Sequence, residues 1–366
     1  MKVKAEFNPF RGILLLLLFA VCGLKSFAQT DTEFWFVIPD VTYEHQSPGG
    51  EPANFTISTL DMPSRVTISM PANPSFTPII IDIPANSAYI QSMSPFINTA
   101  VIASKSGNPD AENQYKTLPN PTNPTGVNKC GILITATTPI SVYYQIANKN
   151  NTDLYALKGK NALGTKFYVP FQNLRSNHQF SNTHPAYSSI NIVATEDATT
   201  VHVEPTQDAY IHGTLVTKGS GKDITLNKGE CISIVPKLVG GQPARNGADH
   251  LSGTLITSDK NIAITINDDS VHNLGGGNYD IIGDQLVNMT SIGLKYVVLK
   301  TQATNGDDHI YVTATENGTT VKFYNNNGNP ADFITVTIDA GQQADIATLG
   351  DYCIVEADKK VSLLQV

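Results

Sequence analysis

The stretch ATEDATTVHV, residues 194–203, returns almost unchanged as ATENGTTVKF, residues 314–323. Each copy reads as a strand, an acidic turn and a second strand that alternates apolar and polar residues. Asp and Asn suit such turns because their side chains bond the local backbone and tolerate tight dihedrals. Four more stretches share the pattern: ISTLDMPSRVTI, ITATTPISVYY, ITSDKNIAITI and VEADKKVSLLQ. The six turns centre near residues 62, 138, 198, 259, 318 and 358. Their period is about 60 residues, so the quoted echo spans two periods.

Working outward from these turns, no segment carries helical periodicity. The chain is a succession of short β-branched or aromatic runs, such as FWFVI, GILITA, CISIV and HIYVTAT, bounded by Gly, Pro, Asn or Asp. The protein is therefore expected to be all-β. A strand before each hairpin, and usually one after it, gives four-stranded units at residues 33–84, 87–158, 165–227, 230–286, 293–339 and 342–366. Six such units predict a six-bladed β-propeller. The same strands also fit three tandem β-sandwich units divided near residues 160 and 288. VHVEP alternates as a half-buried strand does, whereas IIIDI and YVVLK are continuous runs that suit burial on both faces.

Residues 1–28 read as a secretory signal peptide: Lys2, Lys4 and Arg11, then the apolar GILLLLLFAVCGL, then Ser26 and Ala28 before the cut. The apolar run is too short to prefer spanning a bilayer, and no later segment suggests a membrane span. The formal net charge is −8 at pH 7 and becomes more negative once the basic leader is removed. Nucleic acid is an unsuitable partner, because phosphate contacts need clustered Lys and Arg. The expected localisation is secreted, extracellular or cell-surface. Beyond the leader stand Cys130, Cys231 and Cys353, an odd and sparse set with no CxxC. They are expected to be three buried thiols without a disulfide and without a zinc site.

Several stretches, in order along the chain, carry a resemblance: EFWFVIP, GILITATTPISVYY, LYALKGKNALGTKFYV, VATEDATTVHV, DITLNKGE and DHLSGTLITSDKNIAIT. Over residues 32–366 the chain resembles the IgGFc-binding protein N-terminal domain family. That family occurs in a mammalian mucus protein and in secreted bacterial surface proteins. The resemblance implies an extracellular binding or adhesive module with an extracellular glycoprotein or polysaccharide as partner. It brings no catalytic residues and no cofactor, and the antibody ligand in the family's name is not transferred.

No catalytic or phosphate-binding motif is present. NDDSVHN (267–273) and GDDHIY (306–311) set paired carboxylates beside His, which could serve calcium, but the spacing is not that of a calcium loop and solvated turns are expected. No metal site is therefore assigned. Asp269-Ser270-Val271 resembles an acidic-Ser/Thr-aliphatic pattern glycosylated in secreted Bacteroidetes proteins. Scattered carboxylates leave a glycan hydrolase as the enzyme alternative, and a structural spacer in a larger surface protein as the third reading. Binding residues are sought in the long connections opposite the tight turns, because functional loops gather on one side of a rigid scaffold. These connections carry Tyr43, His45, Tyr115, Arg175, His178, His184, Tyr187, Arg245 and His250. Aromatic rings there can stack on sugars, and Arg offers a planar donor fork.

Overall fold

The structure, a computed structural model, describes residues 29–39, 53–96, 127–147, 152–177, 186–211, 214–237, 249–272, 279–301, 308–324, 333–347 and 351–366. It is all-β, and its strands fall into three sheets that follow one another along the chain. The first sheet holds β1 (Asp31–Phe36), β2 (Ala53–Thr59), β3 (Ser64–Ser69), β4 (Ile79–Ile83), β5 (Ala88–Ser92), β6 (Ile132–Ala147) and β7 (Thr152–Ala156). The second holds β8 (Gly164–Tyr168), β9 (Ser188–Ala194), β10 (Thr199–Glu204), β11 (Ala209–Ile211), β12 (Thr214–Val216), β13 (Lys222–Leu226), β14 (Cys231–Pro236), β15 (Leu255–His272) and β16 (Tyr279–Gln285). The third holds β17 (Gly293–Leu299), β18 (His309–Ala314), β19 (Thr319–Tyr324), β20 (Phe333–Ile338), β21 (Gln343–Ala347) and β22 (Tyr352–Gln365).

One strand order serves all three: β4-β3-β6-β2-β5, β13-β10-β15-β9-β14 and β20-β19-β22-β18-β21. Its centre is a long strand, β6, β15 or β22. The turns near 138, 259 and 358 lie inside these long strands, so they are not hairpins as the sequence suggests. Each is an irregularity where the pairing register jumps: at β6 against β1, at β15 against β8 and at β22 against β17. The turns near 62, 198 and 318 do join two strands, but those strands pair with the long strand and not with each other. The chain thus makes three sheets in which six four-stranded ones were sought.

The long strand folds back at its irregularity. In the first unit Phe36 pairs with Ile132, near one end of β6, and Phe55 pairs with Tyr144, near the other. A straight strand would hold those ends about 40 Å apart at ~3.3 Å per residue. Yet the Phe36 ring lies 5.2 Å from Tyr144 and 6.0 Å from Phe55, centroid to centroid. The two halves therefore face each other across an apolar core of Phe34, Phe36, Phe55, Ile57, Ile132 and Tyr144. Separate cores fill the second and third units, around Ile192, Val203, Ile256 and Ile264 and around Val312, Phe323, Cys353 and Val355.

The repeated ATEDATT motif locks the corner where this fold-back happens. Thr199 Oγ1 donates to the Glu196 carbonyl at 2.7 Å, and the Thr200 amide donates to Asp259 Oδ1 in the long strand at 2.8 Å. In the third unit Thr319 Oγ1 donates to the Glu316 carbonyl and the Thr320 amide to Asp358 Oδ1, at the same two distances. Lys260 and Lys359 clamp the turn from the long strand by donating to the carbonyls of Asp197 and Asn317. The first unit does the same job with Thr137, whose Oγ1 accepts from the Arg65 amide at 2.9 Å. The repeated ATEDATT stretch is therefore a structural fastener. Backbone amides and carbonyls at a sharp corner fall outside the strand ladder, and the acid supplies an acceptor to the amide while the threonine hydroxyl donates to the carbonyl.

The units dock corner to open end. At the second unit's corner, the carbonyl of Gly229 accepts from the Gly131 amide at the open end of the first. At the third unit's corner, Gly341 meets Gly253 at the open end of the second.

Candidate functional site

Strand register fixes where the long connections emerge. In the second unit Tyr168 pairs with Leu255, and Glu204 pairs with the same residue. β8 and β10 therefore end, and β15 begins, at the end of the unit away from the corner. Connections 169–187 and 237–254 leave from this open end, as does the far end of β15, where Asn177 bridges to Val271.

A buried polar cluster ties them together. The Asp268 carboxylate accepts from Gln172 Nε2 at 2.9 Å, Asn177 Nδ2 at 2.6 Å and His250 Nε2 at 3.0 Å. A carboxylate only accepts hydrogen bonds, so His250 carries its hydrogen on Nε2. Gln172 Oε1 accepts the amides of Leu174 and Arg175, which curls residues 172–175 into a turn. The Ser176 carbonyl accepts from the His272 amide, and the Tyr187 carbonyl from the Asp269 amide. The side chains of His250 and Asp268 are 0% and 3% exposed. The pair is enclosed, and its work is to hold two loops on one strand.

Beside the cluster, a groove of about 660 Å³ lies between the second and third units. Tyr168, Glu204, Thr206, Gln207 and Lys218 line one side, and Ala340, Gly341 and Gln342 the other. Lys166 Nζ lies 5.4 Å from the Tyr168 ring centroid. Partial burial, followed by the Glu204 charge, pushes the Tyr168 hydroxyl pKa up, so it stays a donor at neutral pH. Phe171, whose ring lies 6.1 Å from that of His250, ties the second unit to the third: its carbonyl accepts from Gln343 Nε2 at 2.7 Å and also from Ser252 Oγ, next to the groove-lining Gly253.

Of the residues sought from sequence, Tyr43, His45, Tyr115, His178, His184 and Arg245 lie outside the described residues. Arg175 is half-buried, and its charge reaches Tyr311 of the third unit. Tyr187 and His250 are buried, at 3% and 2% exposure. The His250 ring holds its loop by donating to Asp268, and at Tyr187 the backbone carbonyl accepts from Asp269. NDDSVHN is not a solvated turn either: its residues 267–272 continue β15, and Asp268, Asp269 and Ser270 are buried. A buried Ser270 offers no folded-state site for a sugar. Among the described residues no group of three or more His, Cys, Asp or Glu is placed to hold a metal ion, and no helix is long and apolar enough to cross a membrane. Gln172, Asn177, Tyr168 and Lys218 escaped the sequence reading, because nothing local marks them. Asp268 was visible only as a polar interruption of an apolar strand.

A half-buried acid sits where the first two units meet. Asp153 on β7 is pushed up to about 7, first by burial and then by the charges of Asp280 and Asp284 on or beside β16, against hydrogen bonds from the backbone of Leu154 and Gly283. Unfolded Asp releases its proton near 3.9. Between about pH 4 and 7 the folded chain therefore holds the proton longer, and stability falls as pH rises, by at most ~1.4 kcal/mol per pH unit. Asp153→Asn removes that slope. Thermal melts across this range should show the variant's advantage growing with pH, whereas parallel curves would show that Asp153 is not the titrating group.

A protein family described as IgGFc binding protein matches residues 153–366, the last strand of the first sheet and all of the other two. The chain belongs to this family. EFWFVIP and GILITATTPISVYY lie ahead of the matched residues, in a sheet that repeats the same strand order. A comparison with curated proteins returned no match.

Proposed function

We propose that the chain is a secreted or cell-surface binding module of three tandem, sandwich-like units, and that it grips an extracellular glycoprotein or polysaccharide at the open end of the second unit. The observation that carries this reading is the polar groove between the second and third units, continuous with the anchored loops. A tyrosine ring, a carboxylate, a lysine and two amides around one open trough suit a hydroxyl-rich or mixed polar ligand. Loop residues Arg175, His178, His184 and Arg245 would extend the contact; Tyr43, His45 and Tyr115 belong to the first unit's connections, which leave toward the second unit's corner, and are not part of this proposed site. Family membership supports binding over catalysis. The enclosed His250–Asp268 pair cannot meet a substrate, so the hydrolase alternative gains no support from it.

The test is binding of the full chain to immobilised mucin and to a polysaccharide panel. Tyr168→Ala with Lys218→Ala should weaken binding at least tenfold, since stacking and charged contacts are each worth about 1–3 kcal/mol. Arg175→Ala with Arg245→Ala should weaken it further. Wild-type binding in both pairs, with loss on changing the Asp197 or Asp259 corner, would move the site to the opposite end. The spacer reading has one observation of its own, the repeated corner-to-open-end docking. Absence of binding to every probe would favour it.

A further inference from the structure

Cys130 and Cys231 are 101 residues apart in sequence, yet their sulfurs lie 3.1 Å apart. Both are buried, at 3% and 0% exposure, within the apolar core that the first unit shares with the outer face of the second. The backbone brings them together. Asn128 and Cys231 form a two-way bridge, each amide donating to the other's carbonyl at 2.8 Å, and the Gly131 amide donates to the Gly229 carbonyl. The residues flanking both cysteines are thus hydrogen-bonded across the junction. The sulfurs stand only about 1 Å beyond the length of an S–S bond. Cys353 is elsewhere, in the third unit's core, with burial holding its thiol pKa up.

We infer that Cys130 and Cys231 are an oxidation site, forming a disulfide that staples the first unit to the second. The chain presents them to an oxidant while it folds, before burial shuts the site. The oxidant is a small or protein disulfide, RSSR. The Cys130 thiolate attacks one of its sulfurs and expels RS⁻. The Cys231 thiolate then attacks the Cys130 sulfur, the Cys130–Cys231 bond forms and the second RS⁻ leaves. In balance, two thiols and RSSR give one disulfide and two RSH, with two electrons passing to the oxidant. The secreted localisation proposed above supplies such an oxidant in the cell, but the chemistry rests on the geometry and is testable without it. The sequence points away from this pairing, because it assigns the two cysteines to different blades and leaves an odd thiol over. In the fold they meet at the docking contact between units, and the odd thiol is Cys353.

The test uses the whole chain, refolded from the reduced, denatured state in a buffer of oxidised and reduced glutathione. Alkylation in denaturant followed by peptide mapping should label Cys353, and Cys22 where the leader is retained, and leave Cys130 and Cys231 unlabelled. It should also yield one linked pair of peptides, carrying Cys130 and Cys231, that separates on reduction. Reduction should lower the melting temperature by roughly 5–10 °C, and this sensitivity should vanish in Cys130→Ala and in Cys231→Ala. Labelling of Cys130 and Cys231 after refolding with oxidant, or a link through Cys353 or Cys22, overturns the proposal. The peptide map needs only wild-type protein, so a variant that does not fold leaves the outcome decidable. A disulfide that forms in glutathione but is missing from protein isolated from its host would count against the localisation and leave the site standing.

Discussion

Asp268→Ala lowers the stability of the second unit by about 3–5 kcal/mol, the upper range for breaking a buried hydrogen-bond network. Three donors, Gln172 Nε2, Asn177 Nδ2 and His250 Nε2, converge on this carboxylate. All three residues are buried, so none can turn to water when the acceptor is lost. Gln172 Nε2 and Asn177 Nδ2 keep second partners in the carbonyls of Arg175 and Asp269, but each N–H aimed at Asp268 is orphaned, at a desolvation penalty of about 1–3 kcal/mol. Asp268→Asn should be nearly as damaging, because its amide adds a fourth donor where only acceptors are wanted. A double-mutant cycle with His250→Ala, followed by chemical denaturation and hydrogen exchange, separates the pair from its surroundings. The expected coupling is at least ~1 kcal/mol, with exchange accelerated first at the amides of Leu174, Arg175 and His272. Additive losses, with those amides still protected, would show that the loops are held by something else.

The loops that carry this cluster were legible as loops, and the strands as strands, for one reason. Both signals are local: β-branched runs bounded by Gly, Pro, Asn and Asp. What failed was the step from turns to topology. ITATTPISVYY and ITSDKNIAITI look like hairpins, because polar or Pro-containing pairs between apolar runs ordinarily make them. Here the same residues mark a bulge at which one strand continues into the facing half of its sheet. Hairpin and bulge share their side-chain chemistry, and only the long-range partner distinguishes them. For Thr137 that partner is the Arg65 amide, and for Asp259 the Thr200 amide. The near-identity of ATEDATT and ATENGTT, against the looser likeness of the other turns, was the available clue that the period was the longer one. The Cys130–Cys231 contact and the groove were not legible. Both arise where one unit's corner meets the previous unit's open end, which no single repeat encodes.

That junction gives the second large effect. Gly253→Ala should detach the third unit from the second. Gly253 has φ +80°, and a Cβ there would run into the carbonyl oxygen of Gly341, itself a corner glycine at φ +78°. The left-handed backbone alone costs an alanine about 1–2 kcal/mol. The collision adds to that cost, because the obstructing atom is backbone and cannot swing aside. Gly219 supplies the control: it has φ +72° with open space where its Cβ would go. Gly219→Ala therefore reports the strain by itself, and the excess loss in Gly253→Ala reports the docking. An excess of about 2 kcal/mol or more is expected, with faster proteolysis between the second and third sheets while strands β17–β22 keep their exchange protection. Equal losses in the two variants would mean that the Gly253–Gly341 contact does not hold the units together. The groove, which needs both walls, would then not owe its shape to this contact.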